Sequence, residues 1–217
     1  MKKYLIMFSM IGFCFSENGL EWISYPNISP VKGFDIDDNG QFALISDKLM
    51  VTDSEGEEVW SIDSSGTAIR FLNDGLISCG SYQQQVRLLK VDFNGQKVWE
   101  KFYFEDYSTF CEDLQIVDDG FVFIGWRNDG NGFVVKTDFE GNEEWSNIFG
   151  DGNGTTGTKV KELEAGGYGI SGETNQWEAF FYRLSGEGDS LYFKIYDIGN
   201  GMSTASSFIE TENQIIL

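Results

Sequence analysis

The sequence predicts an all-β chain: a β-propeller of about five blades, four complete four-stranded units plus a composite or incomplete one. Two markers that recur along the chain carry this reading. The first is a turn glycine followed four residues later by a large aromatic: Gly56 and Trp60, Gly95 and Trp99, Gly141 and Trp145, Gly188 and Tyr192. Glycine tolerates the dihedrals of a tight turn, and β-branched and aromatic residues favour the strands on either side. The second marker is a short turn ahead of an apolar run: Asp38-Asn39-Gly40, Asp74-Gly75, Asp119-Gly120 and Gly166-Gly167. The aromatic places are 39, 46 and 47 residues apart, and repeats of that length made of strand and turn point to propeller blades.

Residues 1–16 read as a secretory signal peptide. Lys2 and Lys3 supply the positive start, residues 4–15 are apolar, and Cys14 and Ser16 are the small residues before the cut. An apolar run of 12 residues falls short of the ~20 that span a bilayer, so no membrane span is expected once the leader is removed.

The propeller domain then covers 17–217, with units over about 27–63, 64–103, 104–149 and 150–197, and a last unit made from 198–217 with 20–25. In the first unit, strands are predicted at 31–36, 41–46, 49–53 and 57–62. The second has 67–72, 76–80, 86–91 and 97–103, and the third 112–117, 121–126, 132–138 and 143–149. The fourth has 159–164, 168–173, 178–184 and 190–196. Loops vary in length between them, as connections on a β scaffold do. The residues 206–210 and 214–217 match only the first two strands of a further unit, whereas 20–25, with Trp22, match a lone fourth strand. A propeller hides its sheet edges, so the expectation is a ring closed by 21–25 lying beside 214–217; the alternative is an open arc.

The aromatic places Trp22, Trp60, Trp99, Trp145 and Tyr192, with the glycines Gly56, Gly95, Gly141 and Gly188, are read as structural: a large ring fills the wedge between adjacent sheets. Asp118-Asp119-Gly120-Phe121-Val122, then Lys136-Thr137-Asp138, Gly141 to Trp145-Ser146 and Phe149-Gly150, resemble the repeats of secreted, Bacteroidetes-type β-propeller-like proteins. That resemblance covers nearly all of 17–217. It implies the fold and brings no shared catalytic residues. Asp53, Gly56 and Trp60, and Asp92, Gly95 and Trp99, are similar to blades of the quinoprotein (PQQ-type) dehydrogenases and of the envelope assembly lipoprotein that shares them. The threonine of that pattern is Glu55, Asn94 and Glu140 here, and the adjacent cysteine pair of the quinoproteins is missing, so their redox chemistry is not carried over.

Formal net charge is −20 over 217 residues, and a surface so acidic repels phosphate backbones, which excludes nucleic acid as a partner. The chain contains no histidine, which removes Ser-His-Asp and Cys-His chemistry and His-based zinc motifs. A carboxylate pair of the glycosidase kind is the remaining catalytic arrangement, and Asp113, Asp119 and Glu173 are the acids predicted near a ring face. No catalytic residue is assigned and no cofactor is called for. Asp35, Asp37 and Asn39 resemble the first half of a calcium loop, but Ser46 stands where the loop's glutamate belongs, and a turn is needed there in any case. Cys79 reads as a small apolar strand residue, with a Cys79–Cys111 disulfide as the alternative. The expected function is a secreted, periplasmic or cell-surface module, non-catalytic, binding a protein or glycan. Alternatives are a carboxylate-dependent carbohydrate hydrolase and a structural component of a larger envelope assembly.

Overall fold

Every regular element of the computed structural model is a β-strand among the described residues, which are 5–8, 11–16, 19–23, 30–196, 203–211 and 214–216, the first three segments and Gln214 as backbone alone. Strands β1 (Leu5–Phe8), β2 (Ile11–Ser16) and β3 (Gly19–Ile23) form a three-stranded sheet in that order. Four sheets of four strands follow. They are β4 to β7 (Gly33–Ile36, Phe42–Ile45, Leu49–Thr52, Glu58–Ile62) and β8 to β11 (Ala68–Leu72, Gly75–Tyr82, Gln85–Val91, Lys97–Tyr103). Next come β12 to β15 (Thr109–Val117, Gly120–Arg127, Gly132–Thr137, Glu143–Phe149) and β16 to β19 (Thr155–Glu162, Tyr168–Thr174, Ala179–Leu184, Ser190–Tyr196). In each, spatial order follows chain order, the meander of a propeller blade. The last two strands, β20 (Ile209–Thr211) and β21 (Gln214–Ile216), pair antiparallel in a sheet of two.

The middle strands are continuous apolar runs because both their faces are covered. Phe42 to Ile45 of β5 and Leu49 to Thr52 of β6 are buried at every position, as is all of β14. The outer strands β7, β11 and β15 are more exposed than the middle ones. Two first strands start earlier than predicted. A bulge between Cys111 and Asp113 lets β12 pair from Thr109, and another between Gly157 and Lys159 lets β16 pair from Thr155, so the expected loops there are shorter.

The chain divides into two compact parts, 1–78 with 90–98 and 79–89 with 99–217. In the first, Phe42, Leu44 and Met50 form a core against Val31 and Ile36. The Asp35 carboxylate on β4 accepts the Phe71 amide of β8 at 2.8 Å, which ties adjacent first strands together. In the second part, Val122, Ile124, Phe149, Val160, Ile170 and Phe180 share one core, and Phe181 and Phe208 meet edge-on at 5.1 Å in another.

One expectation is corrected here. Cys79 is not a lone apolar residue: it forms a disulfide with Cys111, with Cα atoms 6.0 Å apart. The bond joins the second strand of one blade to the first strand of the next, places that are neighbours in space although they are not equivalent in the repeat. Of the ladder expected between 21–25 and 214–217, residues 24, 25 and 217 lie outside the described residues; β3 pairs with β2, and β21 with β20. A side chain at Trp22, and the side chains of the expected leader 1–16, lie outside the described residues.

Candidate functional site

The repeated turn shows what the first sequence marker does physically. In Asp53, Asp92 and Asp138 one carboxylate oxygen accepts the amides two and four residues on, at 2.8 to 3.0 Å. Three residues after each aspartate the chain turns through a glycine with positive φ: Gly56 (90°), Gly95 (76°) and Gly141 (74°). Ser185 performs the same role with its hydroxyl, at 3.2 and 3.1 Å, ahead of Gly188 (85°). Each of three such glycines receives the indole of the preceding unit. A Cβ on Gly95 would come within 2.9 Å of Trp60, one on Gly141 within 2.9 Å of Trp99, and one on Gly188 within 2.5 Å of Trp145. The indole nitrogens of Trp60 and Trp145 donate to the Phe93 and Gly186 carbonyls at 2.8 and 3.0 Å. Tyr192 has the same place in the fourth unit and is 45 % exposed.

Two of the acids predicted near a ring face, Asp113 and Asp119, serve as anchors. Asp113 is buried, its Oδ1 accepts from Lys159 at 3.0 Å and its Oδ2 from the Val160 amide at 3.1 Å. It therefore ties β12 to β16 as Asp35 ties β4 to β8. Asp119 pairs with the buried Lys136 at 2.7 Å, and Glu144 meets the same ammonium at 2.7 Å. Burial pulls the Lys136 pKa down, but the hydrogen bonds it donates to Asp119 and Glu144 outweigh it and the net direction is up. Lys90 and Asp74 repeat the pairing one unit earlier at 2.8 Å. Glu173 lies half-buried in β17. At the calcium candidates, Asp37 spends its oxygens on the Asn39 and Gln41 amides and on the Asn39 side chain, while Asp35 holds Phe71. Among the described residues, no group of three or more acidic, cysteine or histidine side chains comes together in metal-binding fashion.

What the second part does offer is a cleft of about 540 Å³. The end of β15 (Asn147 to Phe149, then Gly150 and Asp151) forms one wall, and the β17–β18 turn (Thr174, Asn175, Gln176, Glu178) and the outer strand β19 form the other. Its floor is aromatic: Phe149 packs on Tyr182 at 5.1 Å, and Phe193 stacks on Phe180 at 5.1 Å and 21°. The Tyr182 hydroxyl donates to Asn147 Oδ1 at 3.0 Å, and the Asn147 amide donates to the Gly188 carbonyl at 3.0 Å, so this wall is fixed. Thr174 donates to Glu178 Oε2 at 3.2 Å across the mouth of the turn. Asp151 is held well below the usual carboxylate range by the side-chain and backbone amides of Asn153. Among the described residues no lysine or arginine lines the cleft. An apolar floor with a few convergent hydroxyl, amide and carboxylate groups at this volume suits a small ligand or a short length of polymer. The sequence gives no sign of the cleft, because its lining is gathered from β15, β19 and the turn between β17 and β18.

No protein-family model matches the chain, and no curated protein matches it. Among solved structures, it is similar to the WD40 domain of Pan2 from Neurospora crassa, at 11 % identity and a TM-score of 0.64, over 96 % of this chain and 66 % of that one. The fold is a β-propeller. BamB from Moraxella catarrhalis matches the propeller at 14 % identity and a TM-score of 0.50, over 88 % of this chain and 75 % of its own. A protein of unknown function from Bacteroides caccae aligns at 10 % identity and a TM-score of 0.44, over 91 % and 95 %.

Proposed function

We propose that this propeller is a non-catalytic binding module of the secreted or cell-envelope kind, and that it takes a protein or glycan ligand in the cleft between β15 and the β17–β18 turn. One observation carries the reading. Asp113 is committed to tying β12 to β16 and Asp119 to the Lys136 ammonium, whereas the cleft presents a preformed aromatic floor and a polar rim. The Cys79–Cys111 disulfide supports an oxidising compartment. Among the described residues no helix is long and apolar enough to cross a membrane. The repeat resembles secreted Bacteroidetes-type propellers, which agrees with that placement.

An array of glycans and purified envelope proteins, probed with the labelled protein, tests this reading. The expected result is retention on one class, lost in a Phe193→Asp variant that melts like wild type, with the ligand recovered chemically unchanged. Turnover of an arrayed glycan, abolished by Asp113→Asn or Glu178→Gln, would favour the carboxylate-dependent hydrolase. Binding that survives Phe193→Asp would move the site elsewhere on the propeller.

A further inference from the structure

The β17–β18 turn has a counterpart one blade earlier, and the two share their backbone bonds. Between β13 and β14, the Arg127 amide donates to the Asn131 carbonyl at 2.8 Å and the Gly130 amide to the Arg127 carbonyl at 3.0 Å. Between β17 and β18, the Thr174 amide donates to the Glu178 carbonyl at 3.0 Å and the Trp177 amide to the Thr174 carbonyl at 2.9 Å. Gly130 and Trp177 are therefore equivalent, and both are left-handed, with φ of 83° and 59°. Glycine occupies that conformation freely, whereas a bulky L residue meets its own carbonyl there. A tryptophan in a glycine's place, against conformational preference, points to a task for its ring.

Among the described residues, Trp177 shares none of the packing roles of the other tryptophans. Trp60, Trp99 and Trp145 each lie against a glycine of the next unit, and Trp126 stacks on Phe110 at 4.3 Å with its indole nitrogen on Glu112. Trp177 is 50 % exposed and has no ring contact or indole acceptor among the described residues. Its backbone is fixed all the same, since the Trp177 carbonyl accepts the Ser203 amide at 2.6 Å. The residues on either side of it, Gln176 and Glu178, both line the cleft.

We propose that Trp177 is a stacking platform at the mouth of the cleft and that the ligand is a neutral saccharide; this rests on the cleft being the binding site. A sugar ring has an apolar C–H face for an indole and for Phe193, and hydroxyls for the Asn175, Gln176 and Glu178 side chains. Amide and carboxylate acceptors, with no lysine or arginine in the lining among the described residues, disfavour acidic sugars, as does a net charge of −20. A tryptophan offers large contact area with few rotatable bonds, so a turn that holds it in place loses little entropy on binding.

Titration calorimetry of the full chain with neutral hexasaccharides of glucose, xylose, mannose and N-acetylglucosamine, and with hexagalacturonate and a lysine-rich decapeptide as contrasts, tests the proposal. At least one neutral hexasaccharide should bind, with a shift in indole fluorescence. Trp177→Gly should weaken it by about tenfold or more, equivalent to about 1.4 kcal/mol, while Tm stays level or rises because glycine suits the turn. Trp177→Asn, which also tolerates left-handed backbone, serves if the glycine variant is poorly folded, and Trp177→Phe should restore part of the affinity. Unchanged affinity in Trp177→Gly would overturn the platform and leave the cleft standing. Preference for hexagalacturonate or for the peptide would overturn the ligand class. If wild type binds no neutral hexasaccharide the proposal fails, and the effect of Phe193→Asp on the array then shows whether the cleft fails with it.

Discussion

Gly188 lies so close to the Trp145 ring that a Cβ at the glycine would come within 2.5 Å of it. The glycine's φ of 85° already disfavours a side chain. Gly188→Ala thus adds backbone strain to overpacking, and should destabilise by roughly 2–4 kcal/mol. Urea melts of the variant beside wild type check this, and a Trp145→Ala, Gly188→Ala double variant should lose less than the sum of the two single changes.

Emptying the ring's place is the complementary change. Trp99 and Trp145 are half-buried, so Trp99→Ala or Trp145→Ala should cost about 3 kcal/mol, the lower end for a large aromatic. Tyr192→Ala, at the exposed equivalent place, should cost under about 1 kcal/mol. Denaturant melts of the three variants compare them directly.

Reducing the Cys79–Cys111 bond releases a constraint between residues 32 apart in sequence, for which loop-closure entropy predicts about 3–4 kcal/mol. Calorimetric scans with and without reductant should show Tm fall, and Cys79→Ala, Cys111→Ala should melt at the reduced value under both conditions.

Stability should fall at both ends of the pH scale for opposite reasons. Asp92 is held below the usual carboxylate range, first by the Gln96 amide, and Asp138 first by the Asn142 side chain. Depressed carboxylates contribute fully above their unfolded value of 3.8 and lose that contribution as pH falls through the folded one. Tyr168 is pushed up to about 12, by burial first and then by Glu162, Asp119 and Glu144. A raised phenol contributes fully below 10.0 and less as pH rises towards 12. Tm measured across the range should drop on both limbs, with Asp138→Asn flattening the acid limb and Tyr168→Phe the alkaline one.

Much of this architecture is legible in the chain because the blade turn is a local device. Aspartate, glycine three residues on and tryptophan four further are all fixed by bonds within one hairpin and one contact to the next, so their spacing survives in sequence. Asp113 was misleading for the converse reason: a buried carboxylate bonded to a backbone amide 47 residues away looks like any acid on a strand. The disulfide eluded the repeat register because it links non-equivalent places. Trp177 was within reach, since 127–131 and 174–178 both connect a second strand to a third and align glycine with tryptophan. Recognising that required the left-handed turn, which residue types alone do not announce.

The most direct test of binding without catalysis is a backbone amide NMR titration of ¹⁵N-labelled protein with the hexasaccharide that binds best. Shift changes confined to 147–151, 174–178 and 190–195, with the sugar intact in the same tube after days, are the result expected. Shift changes centred on Asp113, Asp119 or Glu173, or shortened oligosaccharides in the sample, would contradict it.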